Sequence, residues 1–144
     1  MERMKELVDY GVMAVLAVMS FVAFAVAFER FIVLLRTKPE RFKSRALLEK
    51  HLTKRLYVIA TVASVAPYVG LLGTVIGILM TFYAIGQKGF VDTKEIMVGL
   101  ALALKATAAG LLVAIPAVML YNYLSRKVKE KLLDFEAQHG REGV

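Results

Sequence analysis

The sequence predicts an all-α membrane protein with three transmembrane helices, and three observations support this prediction. Hydrophobic residues make up 58% of the 144 residues, whereas soluble domains usually contain about 45–50% apolar residues. The mean hydropathy is +0.62. Residues 10–28, 56–87 and 96–125 form three apolar runs, and about 20 such residues are enough to cross a hydrocarbon core. Most of the charged residues lie between or beyond these runs, and the formal net charge is +7.

The first run, residues 10–28, contains no charged residue and is expected to be the first span. Ala25-Val26-Ala27 within it resembles the cleavage site of a signal peptide. Residues 1–9, however, carry three acidic side chains beside Arg3 and Lys5, and the run of 19 residues exceeds the apolar segment of a signal peptide, about 7–15 residues. We therefore expect a span that is retained, preceded by a periplasmic or interfacial N-terminus.

The second run would be about 48 Å long as one helix, which exceeds the thickness of a hydrocarbon core of about 30 Å. We therefore expect residues 56–85 to form the second span together with an extension into the cytoplasm. A short loop, residues 86–95, leads to a third span at residues 96–123. That span contains one charged residue, Lys105. Its helix is expected to continue into a cytoplasmic tail, residues 124–144.

The distribution of lysine and arginine predicts the orientation of the three spans. Segment 29–55 contains nine basic residues and the tail after Tyr123 contains five, whereas the loop 86–95 contains two that are matched by two acidic residues. By the positive-inside rule, segment 29–55 and the tail are cytoplasmic. The N-terminus and the loop then lie outside, so the chain is predicted to be N-out and C-in.

The basic segment 29–55 is predicted to contain a helix that lies along the protein or along lipid headgroups. Thr37 and Glu40 match the spacing of a capping box, with Pro39 in the first turn. Nucleic-acid binding is a weak alternative because no groove-reading motif accompanies the charges. The basic residues near the cytoplasmic ends of the spans are expected instead to contact anionic phospholipids. These residues are Arg30, Lys54, Arg55, Arg126 and Lys127.

Small residues recur at intervals of three and four along the second and third spans, which predicts a stripe on one face of each helix. Helices in lipid associate by close packing over such residues. Two alternatives remain open: the stripes pack against each other within one chain, or they form the wall of a tight central pore. The residues expected to pack closely in this way are Gly70, Gly73, Gly77, Ala103 and Gly110.

Thr74 and Thr107 are predicted to lie at the same depth. Thr74 lies 12 residues before Gly86, and Thr107 lies 12 residues after Glu95, so both are about 18 Å along their helices from the outer loop. A threonine in a span commonly bonds a carbonyl of its own helix. Two at one level among small residues predict a role in a pore or ion pathway.

Acidic residues are missing from both long spans, since no Asp or Glu occurs in residues 56–91 or 96–125. Proton relays in membranes are usually built on Asp, Glu or His. If this chain moves protons, another polypeptide must therefore supply the carboxylate.

Lys105 is a candidate intramembrane charge, since a charge at the bilayer centre costs about 2.5–3.5 kcal/mol on insertion scales. It lies about 200° around the helix from Thr107, so the two side chains do not share a face. We expect Lys105 to pair with a carboxylate or to extend its stem toward the headgroups.

Enzymatic activity is not expected. His51 and His139 lie in polar segments, and no pair of nucleophile and base or spacing of metal ligands accompanies them. The glycine-rich stretch lacks the Lys-Ser/Thr ending of a phosphate-binding loop. No catalytic residue, cofactor or metal site is predicted, and the absence of cysteine excludes disulfides.

Two long segments resemble the ExbB/TolQ/MotA proton-channel family. "APYVGLLGTVIGILMTF" (66–82) and "GLALALKATAAGLLVAIPAVMLYN" (99–122) are similar to the second and third spans of that family, and "ERF" (29–31) also fits it. The resemblance covers nearly the whole chain. The short cytoplasmic segment matches the compact ExbB type better than the larger TolQ or MotA proteins.

The resemblance implies a multi-pass motor subunit of the bacterial inner membrane that acts in the TonB system of protein transport. It implies a homo-oligomer, a pentameric ring whose second and third spans line a pore around helices of an ExbD-like single-span protein. That partner would supply a protonatable aspartate, and proton flow would energise a TonB-like protein for import through the outer membrane. Thr74 and Thr107 match the pore threonines of the family, so the resemblance places them opposite that aspartate.

The sequence departs from the family at two positions and leaves other functions open. Leu102 occupies the position at which many members carry a glutamate, and Lys105 is apolar in many relatives. A TolQ-like motor subunit of the Tol-Pal system is one alternative. A passive three-span scaffold and a small channel or holin-like pore are the others.

Overall fold

The computed structural model describes residues 2–142. Its elements in chain order are helix α1 (Glu2–Arg36), a 3-10 turn (Pro39–Arg41), α2 (Arg45–Leu52), α3 (Leu56–Lys88) and α4 (Thr93–Glu142). Three of these helices, α1, α3 and α4, are long and apolar enough to cross a membrane. The prediction of an all-α chain with three long apolar helices is therefore confirmed.

A short connection joins α3 to α4 and makes them antiparallel neighbours. Gly89 follows α3 with a φ of 76°, a left-handed conformation that favours glycine and commonly ends helices. The Asp92 carboxylate then accepts a hydrogen bond from the backbone N–H of Lys94 at 3.1 Å, and the Asp92 carbonyl accepts one from Ile96 at 3.1 Å. Asp92 thus caps the start of α4.

The capping box predicted at Thr37 is wrong. The Thr37 hydroxyl donates instead to the carbonyl four residues earlier in α1, at 2.6 Å. Pro39 disfavours helical geometry in the residue before it, and Lys38 is extended, with a φ of −102° and a ψ of 115°. The helix of this segment begins later, where the Ser44 hydroxyl accepts a hydrogen bond from the N–H of Leu47 at 3.2 Å.

Large apolar side chains fill the space where α2 meets the ends of the long helices. Leu48 and Leu52 of α2 are both 0% exposed, which agrees with the prediction that this helix lies along the protein. We call this region the base. Its fully buried large side chains are Leu48, Leu52, Ile59 and Leu124.

Beyond the base, α1 lies against both α3 and α4. Leu16 of α1 is buried in a small cluster with Ala66 of α3 and Ala114 of α4. At the base, Arg55 donates to the Glu29 carboxylate at 2.5 Å, so α3 begins beside the end of the charge-free run of α1. Helices α1 and α4 continue past this ion pair. Helix α3 has 33 residues, so it is long enough for the predicted extension beyond the hydrocarbon core, which stays a prediction.

Candidate functional site

The backbones of α3 and α4 touch along a line of small residues that we call the seam. A Cβ atom at Gly70 would lie 2.6 Å from the Ala106 carbonyl oxygen, and one at Gly110 would lie 2.7 Å from the Ala66 carbonyl oxygen. Only glycine permits an approach this close. The residues of the seam are Gly70, Gly73, Gly77, Ala103, Ala106 and Gly110.

The seam continues toward the connection between the two helices. A Cβ atom at Gly77 would lie 3.0 Å from the Ala103 Cβ, and one at Gly99 would lie 2.5 Å from the hydroxyl oxygen of Thr81. The two predicted stripes therefore meet each other within one chain, and this packing accounts for their small residues. A role for the same residues as a pore wall stays a prediction.

Thr74 and Thr107 come together on the seam. Their hydroxyl oxygens are in hydrogen-bond contact, which confirms that the two residues lie at one level. The Thr74 hydroxyl also lies 2.8 Å from the Ala103 carbonyl oxygen and 3.3 Å from the Gly70 carbonyl oxygen. Thr74 is buried, whereas Thr107 is half-buried. The pair is therefore reached from the side of Thr107.

The threonine pair can relay hydrogen bonds but cannot hold a charge. Each hydroxyl has one proton to donate and two lone pairs that accept. When Thr74 donates to the Ala103 carbonyl, it can still accept from Thr107, and Thr107 keeps lone pairs for a donor outside the seam. A protonated carboxyl group is a suitable donor. Because neither long span contains Asp or Glu, such a group has to come from elsewhere.

Lys105 pairs with a carboxylate, which was one of the two expectations for this residue; the other was that its stem extends toward the headgroups. Its Nζ lies 3.7 Å from Oδ2 of Asp9 in the third turn of α1. Sequence reasoning did not identify Asp9. The sequence does contain a signal for this contact. Asp9 lies directly before the charge-free run 10–28, and an acidic residue at the end of one span can face a basic residue of another.

Leu102 lies on α4 near the same end of α1. Its side chain is exposed and lines a groove together with Lys5, Glu6 and Asp9. Leu102 is therefore an apolar residue in a groove that two carboxylates of α1 also line.

Arg30 lies inside the base rather than on its surface. Its side chain is 3% exposed, and its guanidinium donates to the His51 carbonyl at 2.8 Å and to the Glu29 carboxylate at 2.9 Å. The other residues of the predicted lipid-contact set are exposed. They are Lys54, Arg55, Arg126 and Lys127.

Comparison with known proteins confirms the family resemblance. Residues 34–137 match the MotA/TolQ/ExbB proton channel family. The chain is 71% identical over 140 residues to the biopolymer transport protein ExbB of Aquifex aeolicus (strain VF5), covering 97% of this chain and 95% of that protein.

Two further relatives show how far the similarity extends. A putative biopolymer transport protein, ExbB-like 2, of Helicobacter pylori (strain ATCC 700392 / 26695) is 51% identical over 124 residues, which are 86% of this chain and 83% of that protein. The Tol-Pal system protein TolQ of Haemophilus influenzae is 51% identical over 77 residues, covering 54% of this chain and 34% of TolQ. The chain belongs to the MotA/TolQ/ExbB proton channel family.

Proposed function

We propose that this chain is the ExbB-like subunit of a motor in the bacterial inner membrane that is driven by the proton-motive force. Copies of the chain form a ring, a pentamer by family resemblance, around the helices of an ExbD-like single-span protein. Proton flow at the contact between ring and partner energises a TonB-like protein for import through the outer membrane. In this proposal the N-terminus lies outside and the basic segment 29–55 lies in the cytoplasm.

The threonine pair is the observation that carries the proposal. Thr74 and Thr107 place two hydroxyl groups in contact at one level, within segments 56–91 and 96–125, which contain no Asp or Glu. This arrangement suits a proton pathway whose titrating acid belongs to a partner. The half-buried Thr107 gives the partner access to the pair.

Two observations favour other functions. The identity to TolQ over 77 residues supports a TolQ-like subunit of a Tol-Pal system, which would use the same site with a different partner. The close contacts of the seam support a passive scaffold, because they explain the glycines without any ion pathway.

The mass of the complex separates the motor from the scaffold. The full chain is expressed with and without the ExbD-like protein of the same organism, extracted in detergent and measured by native mass spectrometry. We expect a ring in both preparations and additional mass from the partner in the first. A ring that never retains the ExbD-like protein contradicts the ExbB-like proposal. If the ring is instead co-expressed with the partner protein of a Tol-Pal system and retains that protein, the result supports the TolQ-like proposal.

Proton flux in proteoliposomes provides the second measurement. The ring alone should be tight to protons, because it lacks the acid, and the complex should conduct them. Conduction by the ring alone would contradict the proposal and favour a simple channel. Conduction by neither preparation would favour the scaffold.

A further inference from the structure

We infer that Asp9 and Lys105 act as positioning residues that hold α1 against the seam beside Thr74. Their side chains form an ion pair, with 3.7 Å between Nζ and Oδ2, that joins α1 to α4. We call this pair the outer latch. The inference concerns the placement of α1 and does not depend on the proposed motor function.

The outer latch lies next to the point at which all three long helices meet. Val12 lies three residues after the aspartate of the latch, on the same side of α1. A Cβ atom at Gly73 would lie 3.1 Å from Val12 and 2.8 Å from the Cβ of Ala106, and Ala106 directly follows the lysine of the latch. The next residue of α3 is Thr74. The latch therefore holds α1 at the point where Val12 contacts Gly73, the residue directly before Thr74.

Apolar packing alone holds this end of α1 weakly. Between the first turns of α1 and the seam lies a groove of about 150 Å³, and much of the seam side of it is glycine and alanine. Small residues give the side chains of α1 little surface to pack against. The side chains of Lys105 and Asp9 are 55% and 39% exposed on the single chain, so lipid would surround the pair in the predicted first and third spans. An ion pair contributes more in lipid than in water, and removing one member leaves the other charge uncompensated there.

The opposite end of α1 is held by a different and denser set of contacts. Glu29 accepts from Arg55 at 2.5 Å, and the buried Arg30 donates to the carbonyl of His51 at 2.8 Å. Loss of the latch should therefore release the outer end of α1 and leave the inner end in place. The inner end is a control within the same molecule.

Paired cysteines can report the position of each end, because the chain contains no cysteine of its own. Val8→Cys with Met80→Cys places one thiol on each side of the outer groove. Phe31→Cys with Tyr123→Cys does the same across a groove at the inner end. Each pair is introduced into the full chain, and membranes are treated with a short bis-maleimide reagent.

We expect Asp9→Asn and Lys105→Met each to lower the yield of the outer cross-link about fivefold, a size typical of coupled neighbouring residues. The inner cross-link should be unchanged. The exchanged variant, Asp9→Lys with Lys105→Asp, restores the pair with opposite signs and should restore the outer cross-link. Glu6→Gln is the matched control: it removes a carboxylate that lines the same groove, and both cross-links should keep their parental yields.

The inference is overturned if the outer cross-link is unaffected by both neutralising substitutions, or if the exchanged variant remains as poor as the single variants. An equal loss of the outer cross-link in Glu6→Gln also overturns the inference. The yield would then depend on the total charge of the groove and not on the ion pair between Asp9 and Lys105. Where a neutralised variant fails to accumulate in membranes, the exchanged variant decides: accumulation with parental cross-linking supports the latch, and its continued absence contradicts it.

Discussion

The seam and the base hold the same helices together by opposite means. In the seam, α3 and α4 meet over glycine and alanine, and the Cβ that Gly70 lacks would lie 2.6 Å from a backbone oxygen. In the base, the contact is made by large side chains that are completely buried, such as Leu48 and Leu124. Water drives leucine into a core, whereas lipid gives leucine no such gain and leaves close backbone packing as the source of attraction. The packing of each region therefore supports the proposal that the seam lies in the membrane and the base at its cytoplasmic side.

The largest effect is expected from a large side chain in the seam. Gly70→Leu would force a Cβ and its branches into the backbone of α4, where no flexible side chain can yield, so the loss of stability should exceed the usual overpacking cost of about 1–3 kcal/mol. We expect no assembled protein after detergent extraction and size-exclusion chromatography.

Gly86→Leu is the control on the same helix, because a Cβ at Gly86 meets nothing within 4 Å. It should assemble like the parent. Equal behaviour of the two variants would show that α3 and α4 are not in backbone contact.

The base should respond to the opposite change, the removal of a large side chain. Leu48→Ala is expected to lower the free energy of unfolding by about 2–5 kcal/mol, because a fully buried leucine leaves a cavity. The neighbouring Leu47 is 53% exposed, and Leu47→Ala should change that free energy by no more than about 0.5 kcal/mol. Unfolding followed by circular dichroism in detergent measures both. A Leu48→Ala variant as stable as Leu47→Ala would contradict the description of the base as a packed core.

The threonine pair tests whether the seam does more than pack. Thr74→Val and Thr107→Val keep the shape of the side chain, so assembly should persist with a loss of about 1 kcal/mol for the missing hydrogen bonds. Energised import, measured as uptake through a TonB-dependent transporter in cells, should be lost. Thr61→Val is the matched control, because the exposed Thr61 hydroxyl donates only to the Tyr57 carbonyl of its own helix at 2.7 Å. If import survives both Thr74→Val and Thr107→Val, the two threonines serve only in packing and the proposed ion pathway is wrong.

The smallest effect is expected for lipid bound around the basic end. Lys54→Gln and Arg126→Gln each remove an exposed charge, which is worth about 1 kcal/mol in attraction to anionic lipid. Native mass spectrometry should show correspondingly less retained phosphatidylglycerol. Lys94→Gln, at the opposite end of α3 and α4, should leave retention unchanged. If all three variants retain the same lipid, the proposed contact is wrong.

The sequence was sufficient to predict the relation between α3 and α4. Only residues 89–92 separate the two helices, so their offset is fixed by chain geometry, and counting from the connection placed Thr74 and Thr107 at one level. The periodicity of the glycines likewise indicated which faces would meet. The periodicity did not decide whether those faces meet within one chain or line a pore between chains, because the same repeat of small residues is expected in both arrangements.

The position of α1 could not be predicted in this way. It is separated from α3 by the 3-10 turn and α2, and so long a connection permits many offsets along the neighbouring helices. This is why Asp9 was not identified as the partner of Lys105, and why Arg30 was expected at a lipid surface instead of inside the base. The start of α2 was misplaced for a local reason, since Pro39 favoured a short turn over the first turn of a longer helix.

The uninterrupted course of α4 has a mechanical consequence. Its 50 residues amount to a rod about 75 Å long, which carries Thr107 about 21 Å from its start and Glu136 about 44 Å further on. The Glu136 carboxylate lies 2.6 Å from the guanidinium of Arg45 in α2. No loop lies between these points, and Pro116 between them removes one backbone hydrogen bond but leaves the helix continuous. A turn imposed on the rod at Thr107 would therefore reach its far end, and α2 would be carried along with it.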